Sequence, residues 1–100
     1  MREDRQRLDK WLWFARFVKS RTLAAKLVTD GFVRVNGQRA ETPAKAIAVG
    51  DVLTVAVSRT TAVVRVESLG ARRGPAVEAR RLYSEVGSDN GALVTAPGRG

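Results

Sequence analysis

The sequence predicts an α+β domain: two N-terminal helices packed on a small, mostly antiparallel sheet, with a C-terminal helix beyond it. Three observations carry that expectation. Apolar residues recur at helical spacing over about residues 7–17 and again over 20–30, and they then alternate in short runs from Phe32 to Ser68. Between these runs stand Gly31, Asn36-Gly37 and Gly50-Asp51, which are strong stop and turn signals. The chain has 100 residues, 44% of them hydrophobic, which suffices for one modest core and leaves no room for a second, catalytic domain.

Residues 1–6 are almost entirely polar and are expected to form a short mobile basic arm, with order beginning near Arg7. Leu8, Trp11, Leu12, Ala15 and Val18 then share one face of a first helix over about residues 7–17, with Lys10 and Arg16 directed elsewhere. Trp13, Phe14 and Phe17 widen the apolar surface, as in a helix packed on two sides or one whose rings stay available to a base or partner. Ser20 suits the cap of a second helix reaching Thr29 or Asp30, with Leu23, Ala24, Leu27 and Val28 inward and Gly31 as the left-handed stop.

Phe32-Val33-Arg34-Val35 alternates as a strand with Arg34 outward, Asn36-Gly37 is a two-residue hairpin turn, and Gln38-Arg39 begins the return. After Pro43, Ala46-Ile47-Ala48-Val49 leads through Gly50-Asp51 into a strand over 52–57, and a further alternating strand runs from Ala62 to Ser68. These elements make residues 7–68 the domain proper. Pro75 suits the first turn of a helix, and Ala79, Leu82, Tyr83 and Val86 repeat at i, i+3, i+4 and i+7, so residues 69–86 are expected to be a helical extension docked on the domain. Gly87 should end that helix, and residues 87–100 read as a disordered tail.

The formal net charge is +8, and residues 1–45 hold eleven cations against five anions, so the positive excess sits mostly in the N-terminal half. A field of this sign fits nucleic acid first, with solvated surface charge as the plain alternative and an acidic membrane or protein as a third. No apolar run reaches the roughly 18 residues of a spanning helix and no secretory leader precedes the domain, so a cytoplasmic protein without membrane contact is expected. Cysteine and histidine are absent, which excludes disulfides, thiol nucleophiles, the usual zinc ligand sets and the commonest general base. Asp9, Asp30 and Asp51 are better explained by local structure than by acid–base work. The expectation is a non-enzyme with no catalytic residue, metal or cofactor.

The sharpest local feature is the short link between the two helices. Lys19 lies in it, and Ser20, Arg21 and Thr22 open the second helix, so free N–H groups, the positive helix end and two cations converge. A phosphate fits there; simple capping with exposed charges is the competing explanation. Arg34 and Arg39 flank the hairpin turn and extend a positive rim. Arg72, Arg73, Arg80 and Arg81 form a candidate secondary RNA-binding cluster, although two of them are also placed to pair with Glu78 and Glu85.

Taken in order, Arg7-Leu8-Asp9, Ser20-Arg21, Gly31-Phe32-Val33-Arg34-Val35-Asn36-Gly37 and Val49-Gly50-Asp51-Val52-Leu53-Thr54-Val55 resemble the RNA-binding domain first recognised in ribosomal small-subunit protein S-four, the alpha-L type. The resemblance covers about residues 7–57. In that family the helix pair and hairpin grip structured RNA, which places Arg7, Lys10, Lys19, Ser20, Arg21, Thr22, Lys26, Arg34, Asn36 and Arg39 on or near the binding surface and makes Asp9 and Asp51 structural; Arg16 is counted with them as a candidate RNA contact. Arg7 to Trp13, Ala15-Arg16-Phe17 and Arg72-Arg73-Gly74-Pro75-Ala76 are most similar to its free-standing, ribosome-associated heat-shock branch. The resemblance implies binding to ribosomal RNA of the large subunit, and to transfer RNA on stalled subunits, in rescue or recycling after heat stress. By contrast with that branch's long basic C-terminal extension, residues 87–100 contain Arg99 as their single cation. A general structured-RNA binder or RNA chaperone is the alternative, followed by a DNA-binding or protein-interaction module. A monomer is expected.

Overall fold

In the computed structural model, which describes residues 4–57 and 60–88, helix α1 covers Leu8–Phe14 and directs Leu8, Trp11 and Leu12, with Ala15 just beyond, into the core. Its cap residue, Arg7, makes no side-chain capping bond. The Leu8 and Asp9 N–H groups instead donate to the carbonyls of Lys45 and Pro43 at 2.8 and 3.1 Å, so these orphan donors are satisfied inside the fold. The helix is shorter than the expected 7–17. The chain reverses at Arg16, where Arg16 N donates to Trp13 O and Phe17 N to Leu12 O, the bond pair of a Schellman stop. Arg16 occupies its left-handed position (φ 66°), which most often belongs to glycine.

Helix α2 spans Arg21–Thr29, and the Ser20 hydroxyl accepts a hydrogen bond from Leu23 N at 3.1 Å. A second Schellman pair ends it, Gly31 N to Val28 O and Phe32 N to Leu27 O, with Gly31 at φ 88°. Ala24 and Val28 are buried and Leu27 packs against the core, but Leu23, expected inward, is 46% exposed. The buried stripe of α2 is narrow, with Ala24 and Val28 as its buried residues.

Strands β2 (Val33–Val35), β3 (Gln38–Arg39), β5 (Val52–Val57), β6 (Thr60–Val66) and β7 (Tyr83–Ser88) form one antiparallel sheet in the order β3-β2-β5-β6-β7. A two-stranded ribbon joins β1 (Gln6–Arg7) to β4 (Ala46–Ile47). The β2–β3 turn has positive φ at both Asn36 (52°) and Gly37 (85°), which matches the twist of the flanking strands. Alternation turns Val33, Val35, Leu53, Val55, Val64 and Val66 towards the helices, where they meet Leu8, Trp11, Leu12, Ala24 and Val28 in a single core. Trp13 and Phe17 pack partly buried against it, and Phe17 lies 6.1 Å from Trp11 and 5.0 Å from Tyr83 between ring centroids. The aromatic excess of α1 is therefore packing on two sides.

Three boundaries differ from the sequence expectation. Gln6 is not in a mobile arm: it pairs opposite Ile47, and its carboxamide donates to Gly70 O at 2.8 Å and accepts from Gly70 N at 3.0 Å. Residues 1–3 lie outside the described residues. The C-terminal helix α3 is only Ala76–Ala79, tightens into a 3-10 turn over Arg80–Leu82, and gives way to β7. Ala79 and Leu82 are buried as the helical stripe required, but Val86 is 43% exposed and belongs to a strand with a bulge opposite Val63/Val64. Strand β6 needs a partner on its free side, and that need outweighs a helical pattern only four apolar residues long. Gly87 stands opposite Val63 in this strand instead of ending a helix, so the expected tail cannot begin there; residues 89–100 lie outside the described residues.

Candidate nucleic-acid interface

Asp9 organises the cationic face. It is 4% exposed and receives two bonds from Arg7, Nε to Oδ1 and Nη2 to Oδ2, both at 3.1 Å. Arg21 Nε stands 3.8 Å from the same carboxylate. Because Arg7 precedes α1 and Arg21 opens α2, one buried anion draws two half-exposed guanidinium groups together beside the Ser20 cap. Lys19 and Thr22 are exposed at the same turn. Ser20 uses its hydroxyl on Leu23 N, so the hydroxyl serves the cap first, while the positive end of a nine-residue helix still faces this group of cations.

The other cations of the two helices are more engaged. Lys10 Nζ lies 5.7 Å from the centroid of the Phe14 ring, and Lys26 pairs with Asp30 at 3.0 Å. Arg16 Nε donates to Gly74 O at 2.7 Å. In return, Arg73 Nη2 donates to Val18 O at 3.3 Å, and its guanidinium lies 5.9 Å from the Trp13 ring centroid. The α1–α2 link and the segment before α3 are thus tied by two arginines, each bonded to the other segment's main chain. Arg73 Nε is buried without a hydrogen-bond partner.

The hairpin adjoins the opposite end of α2, about 13 Å from Ser20 at 1.5 Å per residue. Arg34 and Arg39 are cross-strand partners on β2 and β3, which puts two positive side chains on the same outward face. A Cβ placed on Gly31 would lie 3.0 Å from the Arg39 guanidinium, which therefore covers the C-terminal end of α2. Asn36 is structural: its Oδ1 accepts from Val52 N at 2.9 Å and its Nδ2 donates to Asp51 Oδ1 at 3.3 Å. Asp51 Oδ2 accepts from Ala48 N, which closes the turn before β5.

The secondary cluster is divided. Arg72 pairs with Glu78 at 2.7 Å, and this hydrogen bond holds the Glu78 carboxyl below its ordinary range and the Arg72 guanidinium above its own. Arg73 belongs to the link just described, and Arg80 and Arg81 are exposed. Sequence reasoning missed Gln6, the Trp11 indole that donates to Ser68 O at 3.0 Å, and Gly70, whose absent Cβ would lie 2.5 Å from Phe14. Local periodicity carries no signal for these contacts, which join residues more than fifty positions apart. Among the described residues, no group of His, Cys, Asp and Glu is placed to hold a metal ion, and no helix is long and apolar enough to cross a membrane.

A buried aspartate ties the openings of the two helices together, and a basic hairpin stands at the far end of α2. Residues 6–53 match the S4 domain, and the chain belongs to that family. It is 43% identical to heat shock protein 15 of Escherichia coli (strain K12) over 79 residues, 79% of this chain and 59% of the relative, so it spans somewhat under two thirds of that protein's length. A solved structure of heat shock protein 15 from Vibrio cholerae, a trimer, superposes with a TM-score of 0.78 at 41% identity over 82% of each chain. The RQC P-site tRNA stabilizing factor of Bacillus subtilis (strain 168) is 36% identical over 63% of this chain and 72% of its own length.

Proposed function

We propose that this protein binds structured RNA without catalysis, and that its target is ribosomal RNA of the large subunit, on particles left holding transfer RNA after heat stress. The observation that carries the reading is the pair of arginines gathered on Asp9 beside the capped end of α2. Lys and Arg side chains there meet backbone phosphates, and selectivity comes from shape, because the deep groove of an RNA duplex hides its base edges. The names of the Escherichia coli and Bacillus subtilis relatives support the heat-stress and transfer-RNA parts. The trimeric Vibrio cholerae relative argues against the monomer expected from the sequence.

Two measurements test this. In vitro, neutralising about five phosphates gives a slope of log affinity against log salt of about −4, and Lys19→Ala with Arg21→Ala makes that slope shallower while thermal unfolding changes little. A slope near zero refutes the mechanism. In cells, ultraviolet crosslinking before and after heat shock should enrich one region of large-subunit ribosomal RNA. Crosslinks spread over many structured RNAs would support the general RNA binder instead.

A further inference from the structure

The helices cover one face of the five-stranded sheet, and the other face carries an aromatic and cationic concavity. Phe32, Arg34, Thr54, Ala56 and Val63 line a hollow of about 430 Å³, and none of its lining residues is acidic. Arg34, Thr54 and Val63 are consecutive cross-strand partners on β2, β5 and β6, so they share this face. Phe32 is 51% exposed, although it is among the larger apolar side chains of the protein. Its main chain is fixed at both polar atoms, Phe32 N donating to Leu27 O and Phe32 O accepting from Ala56 N at 3.0 Å. The Phe32 backbone is therefore held at the rim by the helix stop and the sheet together, and its ring is presented at the surface.

We propose that this hollow is a platform for one unpaired nucleotide of RNA, its base stacked on Phe32 and its phosphate held by Arg34 with Arg39 opposite. An exposed aromatic face beside cations is what a flexible strand requires, since every base offers a π-face and every linkage a negative charge. Arg34 lines the hollow, and its cross-strand partner Arg39, whose guanidinium lies against Gly31 at the same rim, adds a second positive charge for a phosphate. This inference rests on the RNA-binding reading and extends it: the helix ends meet paired, folded RNA, and the outer sheet face meets an unpaired base next to it.

The test uses the full chain and two probes, a blunt RNA hairpin and the same hairpin with a four-uridine overhang containing 2-aminopurine. The expected result is about tenfold tighter binding of the overhang probe, in keeping with one stacked base, with quenching of its fluorescence. Phe32→Ala and Phe32→Leu should abolish both the gain and the quenching while leaving blunt-hairpin affinity intact, and Phe32→Tyr should restore them. Binding of the blunt hairpin with no gain from the overhang overturns the platform and leaves the proposed function standing. No binding of either probe by the unaltered protein overturns both. A loss of self-association in Phe32→Leu, read by sedimentation, with unchanged overhang binding, assigns the face to contact between copies and also overturns the platform.

Discussion

Arg73→Ala separates a side chain that holds the link between α1 and α2, the proposed RNA contact, from one that itself touches RNA. Arg73 donates to Val18 O at 3.3 Å, near the long end for such a bond, and lies 5.9 Å from the Trp13 ring. A hydrogen bond from a charged donor contributes about 1.5–3 kcal/mol and the cation–π contact about 0.5–1 kcal/mol. Against them stands the buried, unpartnered Nε, whose removal returns about 1–3 kcal/mol. The net loss is about 1 kcal/mol, a fall in Tm of about 4–8 °C for a domain of this size. If RNA binding must then reorder the Arg16–Ser20 link, affinity falls by up to about fivefold. The salt slope should not change, because no phosphate contact has been removed. Arg73→Lys should not rescue, since the bond and the ring contact both use the planar guanidinium. Fluorescence anisotropy across a salt series, with calorimetric unfolding of each variant, checks this. A slope shallower by about 0.7–0.9 with unchanged Tm and rescue by lysine would show direct phosphate contact and refute the reasoning.

Three further outcomes follow from the same geometry. Arg16 sits at φ 66° and donates to Gly74 O, so Arg16→Gly should be more stable than Arg16→Ala by about 1 kcal/mol in denaturant unfolding: both lose the bond, and only alanine keeps the backbone strain. Gly70→Ala forces a methyl to within 2.5 Å of Phe14 and should destabilise by about 1–3 kcal/mol, measured by urea unfolding, although nothing in its φ demands glycine. The Glu78 carboxyl is held low by Arg72; a carboxylate with a lowered folded pKa stabilises above its unfolded value, and the effect is lost as pH falls through the folded one. Both groups are exposed, so the stability change should be small, but carboxyl NMR titration of Arg72→Ala should show the Glu78 pKa move up towards its ordinary range.

Local sequence alone settled the two helices, the stop of the second at Gly31, the Asn36-Gly37 hairpin and the central strands. Each depends on residues within a few positions of one another: a capping Ser20 hydroxyl, a glycine free to take positive φ, an alternation of period two. It also placed most of the cations on the surface, since long charged side chains have nowhere else to go. It did not determine that Leu23 would face outward or that Tyr83–Ser88 would leave a helical pattern to become a strand, because the free edge of β6 decided the latter and lies seventeen or more residues upstream. Likewise only tertiary structure decided which arginines remain available. Arg7 and Arg21 meet on Asp9, Arg16 and Arg73 bind main-chain carbonyls across the fold, and Arg72 is taken by Glu78. A charge is written in the chain, but its partner is chosen by what the folded backbone brings within three or four ångströms, where the interaction is strong enough to matter.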